Sequence, residues 1–145
     1  MSFAVGDLGH TAEHNRLLNL VDAARIDTSQ TTASATYVDL ATVGPVVTEV
    51  TGTSVLVFVN FRFTVASTTP SFVSVAVSGA TTRAAADADA CPAVCQVSNA
   101  GPVPCSAMIL LTGLTAGTNT FTMRYRAGAG TPAFSFRSMA VLRLN

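Results

Sequence analysis

The stretch Ser54–Val65, SVLVFVNFRFTV, decides the architecture. Val55, Val57, Val59, Phe61, Phe63 and Val65 share one parity; Leu56, Phe58, Asn60, Arg62 and Thr64 share the other. Successive side chains of a strand point to opposite faces, so the first set makes an unbroken apolar face. The second set makes a face that is apolar at its start and polar at its end. A 3.6-residue period would scatter Asn60 and Arg62 among the valines, which excludes a helix. The stretch is expected to be a long central strand of an antiparallel β sandwich, with later strands laid against it.

Further strands are expected at about 36–42, 46–51, 72–78, 80–85, 106–112, 118–126 and 133–144. Gly44-Pro45, Thr51-Gly52, Thr68–Pro70, Gly113 and Ala116-Gly117 punctuate them as turns. In the last strand, Phe134, Phe136, Ser138, Ala140, Leu142 and Leu144 alternate with Ser135, Arg137, Met139, Val141 and Arg143. Eight short strands with Gly/Pro turns suit a two-sheet sandwich, and a jelly roll is its eight-strand version. Asp87–Pro104 holds three prolines and two cysteines without periodicity, and reads as a long inserted contact loop.

Ahead of the sandwich, residues 1–9 read as an irregular arm. From Thr11 a helix is expected: Thr11 caps it, Glu13 suits its positive end, and Leu17, Leu18, Val21 and Ala24 form its apolar stripe, fading near Arg25. At about four turns such a helix needs a partner surface. Asp27–Ala35 reads as a polar linker. The chain therefore divides into an anchoring segment, 1–35, and a sandwich, 36–145, with the loop inserted at about 87–104. The class is all-β: an eight-stranded antiparallel jelly-roll sandwich preceded by a short N-terminal arm and an α-helix.

At 145 residues the length suits one domain with its own core. Charged residues make up only 11% of the chain, where about a quarter is usual. A surface so poor in charge points to burial in an assembly. No apolar run reaches the ~18 residues of a membrane span, and the start lacks a basic region followed by an apolar core, so no membrane partner and no export signal are expected. All eight cations are arginine. Residues 1–50 carry six acids and two arginines, and residues 51–145 carry two acids and six arginines. The overall balance of zero argues against general nucleic-acid binding.

His10-Thr11-Ala12-Glu13-His14 matches the inverted zinc-peptidase pattern H-x-x-E-H. That chemistry needs a third ligand and an enclosing scaffold, and the chain has no other histidine. Histidines that cap or pack a docking helix are the preferred reading. Cys91, Cys95 and Cys105 are spaced C-x3-C and C-x9-C, and zinc would want a fourth ligand that no nearby histidine supplies. Thiols in an outer contact loop, or a Cys91–Cys95 or Cys95–Cys105 bridge, are preferred to metal. Arg124 and Arg126 share a strand face, where ion pairing is the ordinary role and a carbohydrate or phosphate site the rarer one. There is no Gly-rich phosphate loop, no G-x-S-x-G elbow and no paired carboxylates at a plausible strand-end cleft. The expectation is a non-enzyme without cofactor or metal.

Three segments together resemble small virion proteins of tailed phages infecting actinobacteria. VGDLGHTAEHNRLLN is similar to a G-x-x-G-H-x-x-x-H-N opening; YVDLATVGPVVTEVTGTSVLVFV resembles the first strands of their jelly-roll heads; TGLTAGTNTFTMRYRAGAGTPAFSFRSMAVLRL resembles the closing strands. Heads of this group resemble the trimeric complement and tumour-necrosis-factor jelly rolls, and their bearers serve as minor tail, head-fibre or capsid decoration components. The resemblance implies a homotrimer with Phe58, Met123 and Phe136 as candidate interface residues. It also implies an anchoring helix that uses His10, His14, Leu17, Leu18 and Val21 against a major capsid or tail protein. Cys91, Cys95 and Cys105 would mark the outer contact loop. The expected role is a capsid decoration protein of a virion, assembled in the host cytoplasm. The alternatives are a tail-associated adhesin touching a host-surface glycan and a sugar-binding jelly-roll module.

Overall fold

A computed structural model of the chain describes residues 21–65, 67–95 and 101–144. Among these, nine strands follow in order: β1 (Val21–Ile26), β2 (Gln30–Thr31), β3 (Val46–Thr51), β4 (Ser54–Thr64), β5 (Ser67–Gly79), β6 (Ala90–Cys95), β7 (Val103–Thr112), β8 (Gly117–Arg126) and β9 (Ala133–Arg143). A 3-10 turn at Asp87–Asp89 precedes β6. One sheet has the order β1-β9-β4-β7, with β2 also on β9; the other has the order β3-β8-β5-β6. All pairings are antiparallel. The fold is an all-β arrangement of two sheets. With the two-residue β2 left out of the count, strands equidistant from the two ends pair: β1 with β9, β3 with β8, β4 with β7 and β5 with β6.

The central strand behaves as its alternation requires. Val55, Val57, Val59, Phe61 and Phe63 of β4 are buried, and they share one core cluster with Val73, Val75 and Val77 of β5 and with Phe121, Met123 and Tyr125 of β8. Each such side chain contributes roughly 1.5–3 kcal/mol when fully buried. Phe134 of β9 sits at the aromatic centre, its ring 5.9 Å from Phe61, 5.5 Å from Phe63 and 5.0 Å from Tyr125, all tilted. Such offset geometry suits the ring quadrupoles. Buried Asn119 donates to Thr51 Oγ1 at 2.9 Å and Thr115 O at 3.0 Å, and accepts from Thr81 N at 2.8 Å, which fixes the turn into β8.

Several sequence expectations are corrected. The last part of the expected helix, Val21–Arg25, is strand, paired from Val21↔Leu142 to Ile26↔Arg137. Helix propensity differs among ordinary residues by tenths of a kcal/mol, so an open ladder beside β9 overrides it. His10, His14, Leu17 and Leu18 lie outside the described residues. The sandwich thus already includes Val21, and the expected linker contributes β2. The expected strands at 36–42 and 80–85 are reduced to isolated bridges, Val38↔Tyr125 and Val77↔Arg83. Thr68–Pro70 lies inside β5, where the register with β6 shifts between Ser67 and Ser71. The expected inserted loop holds β6, whose exposed Pro92 is tolerated because β6 ends its sheet.

Candidate functional site

The outer face of the β1-β9-β4-β7 sheet carries the second parity of β4, and the register lines its neighbours up in rows. Leu56 lies between Leu110 and Leu142, and Phe58 between Met108 and Ala140, with Ala23 beyond Ala140. Met108 is 63% exposed, Leu110 55% and Phe58 36%. This end of the face is apolar across all four strands and is covered by nothing among the described residues.

Two residues further along β4 the chemistry changes. Asn60 lies between Ser106 and Ser138, and Arg25 follows Ser138, so Arg25, Ser138, Asn60 and Ser106 cross the sheet in one row. Arg62 comes next on β4. Between Asn60 and Arg62 the pairing slips: Asn60 faces Ser138, whereas Arg62 faces Ser135. One extra residue of β9 is thereby accommodated, as in a β-bulge. Phe136 sits there with φ 48°, in the left-handed region that bulky residues rarely adopt. The bulge turns Phe136 outward, 44% exposed, and sends Arg137 into the core. The guanidinium of Arg62 lies 4.8 Å from the Phe136 ring centre and that of Arg25 lies 5.8 Å from it. Arg25 also pairs with Asp27 at 2.5 Å. These groups line an open cleft of about 540 Å³.

Arg124 and Arg126 line a second cleft of about 540 Å³, on the outer face of the β3-β8-β5-β6 sheet with Tyr37 and Asp87. Here the cations are matched within the chain. Arg124 Nη1 meets Asp39 Oδ2 at 2.6 Å, and Arg126 Nη2 meets Asp87 Oδ2 at 2.9 Å. Arg126 also stacks 4.3 Å from the Phe72 ring centre. The Tyr37 hydroxyl donates to Asp87 Oδ1 at 2.7 Å; burial, then that carboxylate, push its pKa far upward. With both arginines neutralised by acids, the cleft is a set of intramolecular ion pairs.

Of the expected interface residues, Phe58 and Phe136 lie on the open sheet face. Met123 does not: it is fully buried between the sheets and cannot reach another copy. The three cysteines are not on a loop. Cys91 and Cys95 belong to β6 and Cys105 to β7. Cys91 is buried, which raises its thiol pKa, with a smaller contribution from the neighbouring Cys105 thiol. Among the described residues no group of three or more His, Cys, Asp or Glu is placed to hold a metal ion, and no helix is long and apolar enough to cross a membrane.

Sequence reasoning missed Arg137. It is fully buried and no carboxylate pairs with it among the described residues. Its Nη1 donates to Gly44 O at 3.1 Å and its Nη2 to Gln30 Oε1 at 2.9 Å, while its charge lies 5.4 Å from the Tyr125 ring centre. The Tyr125 hydroxyl donates to the same Gly44 carbonyl at 2.8 Å. Burial raises the Tyr125 pKa to about 12, against the opposing charge of Arg137. The group ties β2, the 42–44 turn, β8 and β9 together, and its role is structural.

A scan of protein-family models and a search of curated proteins both find no match to this chain.

Proposed function

We propose that the chain is a structural protein of a phage virion, a capsid decoration subunit that assembles as a homotrimer and is anchored by its N-terminal segment. The observation that carries this reading is the apolar half of the outer sheet face, with Phe58, Met108 and Leu110 exposed in adjacent rows. Copies of the same chain are the occupant that suits it: the apolar rows carry no charge to select a foreign partner, and 11% charged residues leave little else to keep an isolated subunit apart from its kind. A few such side chains, each contributing roughly 1.5–3 kcal/mol on burial, suffice for a lasting oligomer.

The strand order supports a jelly roll within this proposal. Pairing of β1 with β9, β3 with β8, β4 with β7 and β5 with β6 is what results when one long hairpin, folded between β5 and β6, is rolled into two sheets. The short β2 is an addition to that scheme. The resemblance of the opening and closing segments to actinobacterial phage virion proteins supports the setting, a particle assembled in the host cytoplasm. On this reading the chain transforms no substrate. It fills space between identical copies and against a major capsid protein.

Light scattering after size exclusion tests the oligomer: a trimer at micromolar concentration is expected, and a monomer would remove the proposal. Labelling of purified particles tests the setting. Many tens of copies per particle mean decoration; a few copies at the tail mean an adhesin, the second reading. Removal of residues 1–20, ahead of β1, is expected to leave the fold intact and abolish attachment.

A further inference from the structure

We infer that the cleft formed by Arg25, Asn60, Arg62, Ser106, Phe136 and Ser138 binds a saccharide carrying a carboxylate. The inference does not depend on the trimer, because the cleft lies at the polar end of the sheet face, beyond the apolar rows.

Three observations point to a ligand. The first is charge. Arg25 is matched by Asp27, whereas Arg62 makes no ion pair among the described residues, so the cleft holds one uncompensated positive charge. The other cleft, with Arg124 and Arg126, has none. A single uncompensated charge matches a carboxylate monoanion, which a guanidinium grips through two parallel N–H donors. A phosphate monoester, with its second ionisation near pH 6, would be left under-neutralised.

The second observation is the row of side chains on the floor. Ser138, Asn60 and Ser106 stand on three adjacent strands, and among the described residues none of the three side chains has a hydrogen-bond partner. Neighbouring strands lie about 4.8 Å apart, so the row offers hydroxyl, amide and hydroxyl groups side by side, a mixed set of donors and acceptors such as sugar hydroxyls pair with.

The third observation is the backbone of Phe136. A ring at φ 48° is held against its own preference by the bulge, and its backbone N donates to Asp27 O at 3.3 Å. Strain of this kind gathers where side chains are aimed at a ligand. Here it holds the Phe136 ring outward with the Arg62 and Arg25 guanidiniums against it, so that an exposed apolar surface lies directly beside the charge. The aromatic content is low elsewhere, but one ring at the right place is enough for a monosaccharide subsite.

Isothermal titration of the full chain with a glucuronate-containing tetrasaccharide, a neutral glucose tetrasaccharide and glucose 6-phosphate tests the assignment. Saturable binding of the first alone is expected. Arg62→Gln is expected to weaken it about tenfold or more, as loss of a charge-assisted pair does. Phe136→Gly is expected to abolish binding while the melting temperature stays or rises, because glycine accepts φ 48° without cost. A purely structural Phe136 would instead lower the melting temperature. Absence of glucuronate binding, equal binding of the neutral sugar, preference for the phosphate, or full binding by Arg62→Gln would each overturn the inference. So would release of the oligomer by Arg62→Gln, since the cleft would then hold an acid of another copy.

Discussion

Arg137 and Gln30 stand 107 positions apart in the chain and meet at 2.9 Å, a buried guanidinium donating to a neutral amide oxygen. Burying a charge without a counter-ion costs several kcal/mol, offset here by carbonyl and amide acceptors. Gln30 is therefore worth more than a half-buried side chain ordinarily is. Gln30→Leu is expected to cost about 1–3 kcal/mol, because it withdraws an acceptor from a charge that cannot leave. Gln30 also holds Thr42, donating to its Oγ1 at 2.7 Å and accepting from its N at 3.0 Å, and Arg137→Met withdraws only the charge, so Gln30→Leu should cost less in the Arg137→Met background than in the parent. Urea unfolding of the two single variants and the double checks this; strict additivity would show that the two residues act separately.

Leu110 and Phe58 are the exposed members of adjacent rows, and neither contributes to the core of its own subunit as β4 Val57 and Val59 do. Leu110→Glu and Phe58→Glu should therefore dissociate the proposed trimer and leave the stability of the monomer within about 0.5 kcal/mol of its parent. Met123→Glu should behave differently, unfolding the chain, because Met123 lies between the sheets. Light scattering and circular dichroism on the three variants separate the two behaviours. Persistence of the oligomer in both surface variants would mean that the apolar rows face solvent.

The central strand was legible because its two parities differ so sharply in hydropathy, and the hairpin strands after it because glycine turns bound them. What escaped had physical causes. Residues 22–25, Asp-Ala-Ala-Arg, favour a helix locally and become strand only because β9 offers an unpaired edge. β6 contains Pro92, which speaks against a strand until its place at the end of the sheet is known. The bulge in β9 leaves a trace in the sequence: the apolar parity runs through Phe134, then through Met139 and Val141 on the opposite parity. A strand can exchange its faces in this way only by gaining a residue. That exchange marks both the outward Phe136 and the inward Arg137. The cleft was invisible for the same reason, since Arg25 and Ser106 join Asn60 only through pairings distant in sequence.

The two tyrosines give an alkaline signature. Both have pKa values raised from the ordinary 10, Tyr125 to about 12 and Tyr37 further, chiefly by burial. In the folded chain neither should ionise near pH 10, and with no tryptophan present the absorbance of phenolate reports this cleanly. The linkage has a definite sign. Below pH 10 the phenols are protonated in both states and stability is unaffected by them. Above pH 10 the unfolded chain releases protons that the folded chain retains, so stability falls as pH rises toward 12. Urea midpoints should be level up to about pH 9 and decline beyond pH 10. Tyr125→Phe should lessen the decline. An absorbance midpoint near 10 under native conditions would show that the phenols are open to water.

Three glycines should respond to alanine in a definite order. A β-carbon on Gly128 would stand 1.8 Å from the carbonyl oxygen of Pro70, a distance no real contact allows, and the backbone N of Gly128 already donates to Ser71 Oγ at 3.2 Å. Neither partner is the far end of a flexible chain, so Gly128→Ala must push the β8–β9 connection off β5, at a cost of about 1–3 kcal/mol. Gly113 has open space around it but φ +71°, so alanine there meets only the left-handed penalty of about 1–2 kcal/mol. Gly101 has neither a close neighbour among the described residues nor a positive φ, and alanine there should leave stability unchanged or slightly raised by restricting the unfolded chain. Denaturation midpoints of the three variants give the ranking directly. A Gly128→Ala variant as stable as Gly101→Ala would mean that the close approach of the connection to Pro70 is wrong, and with it the seating of β5 beside the end of β8.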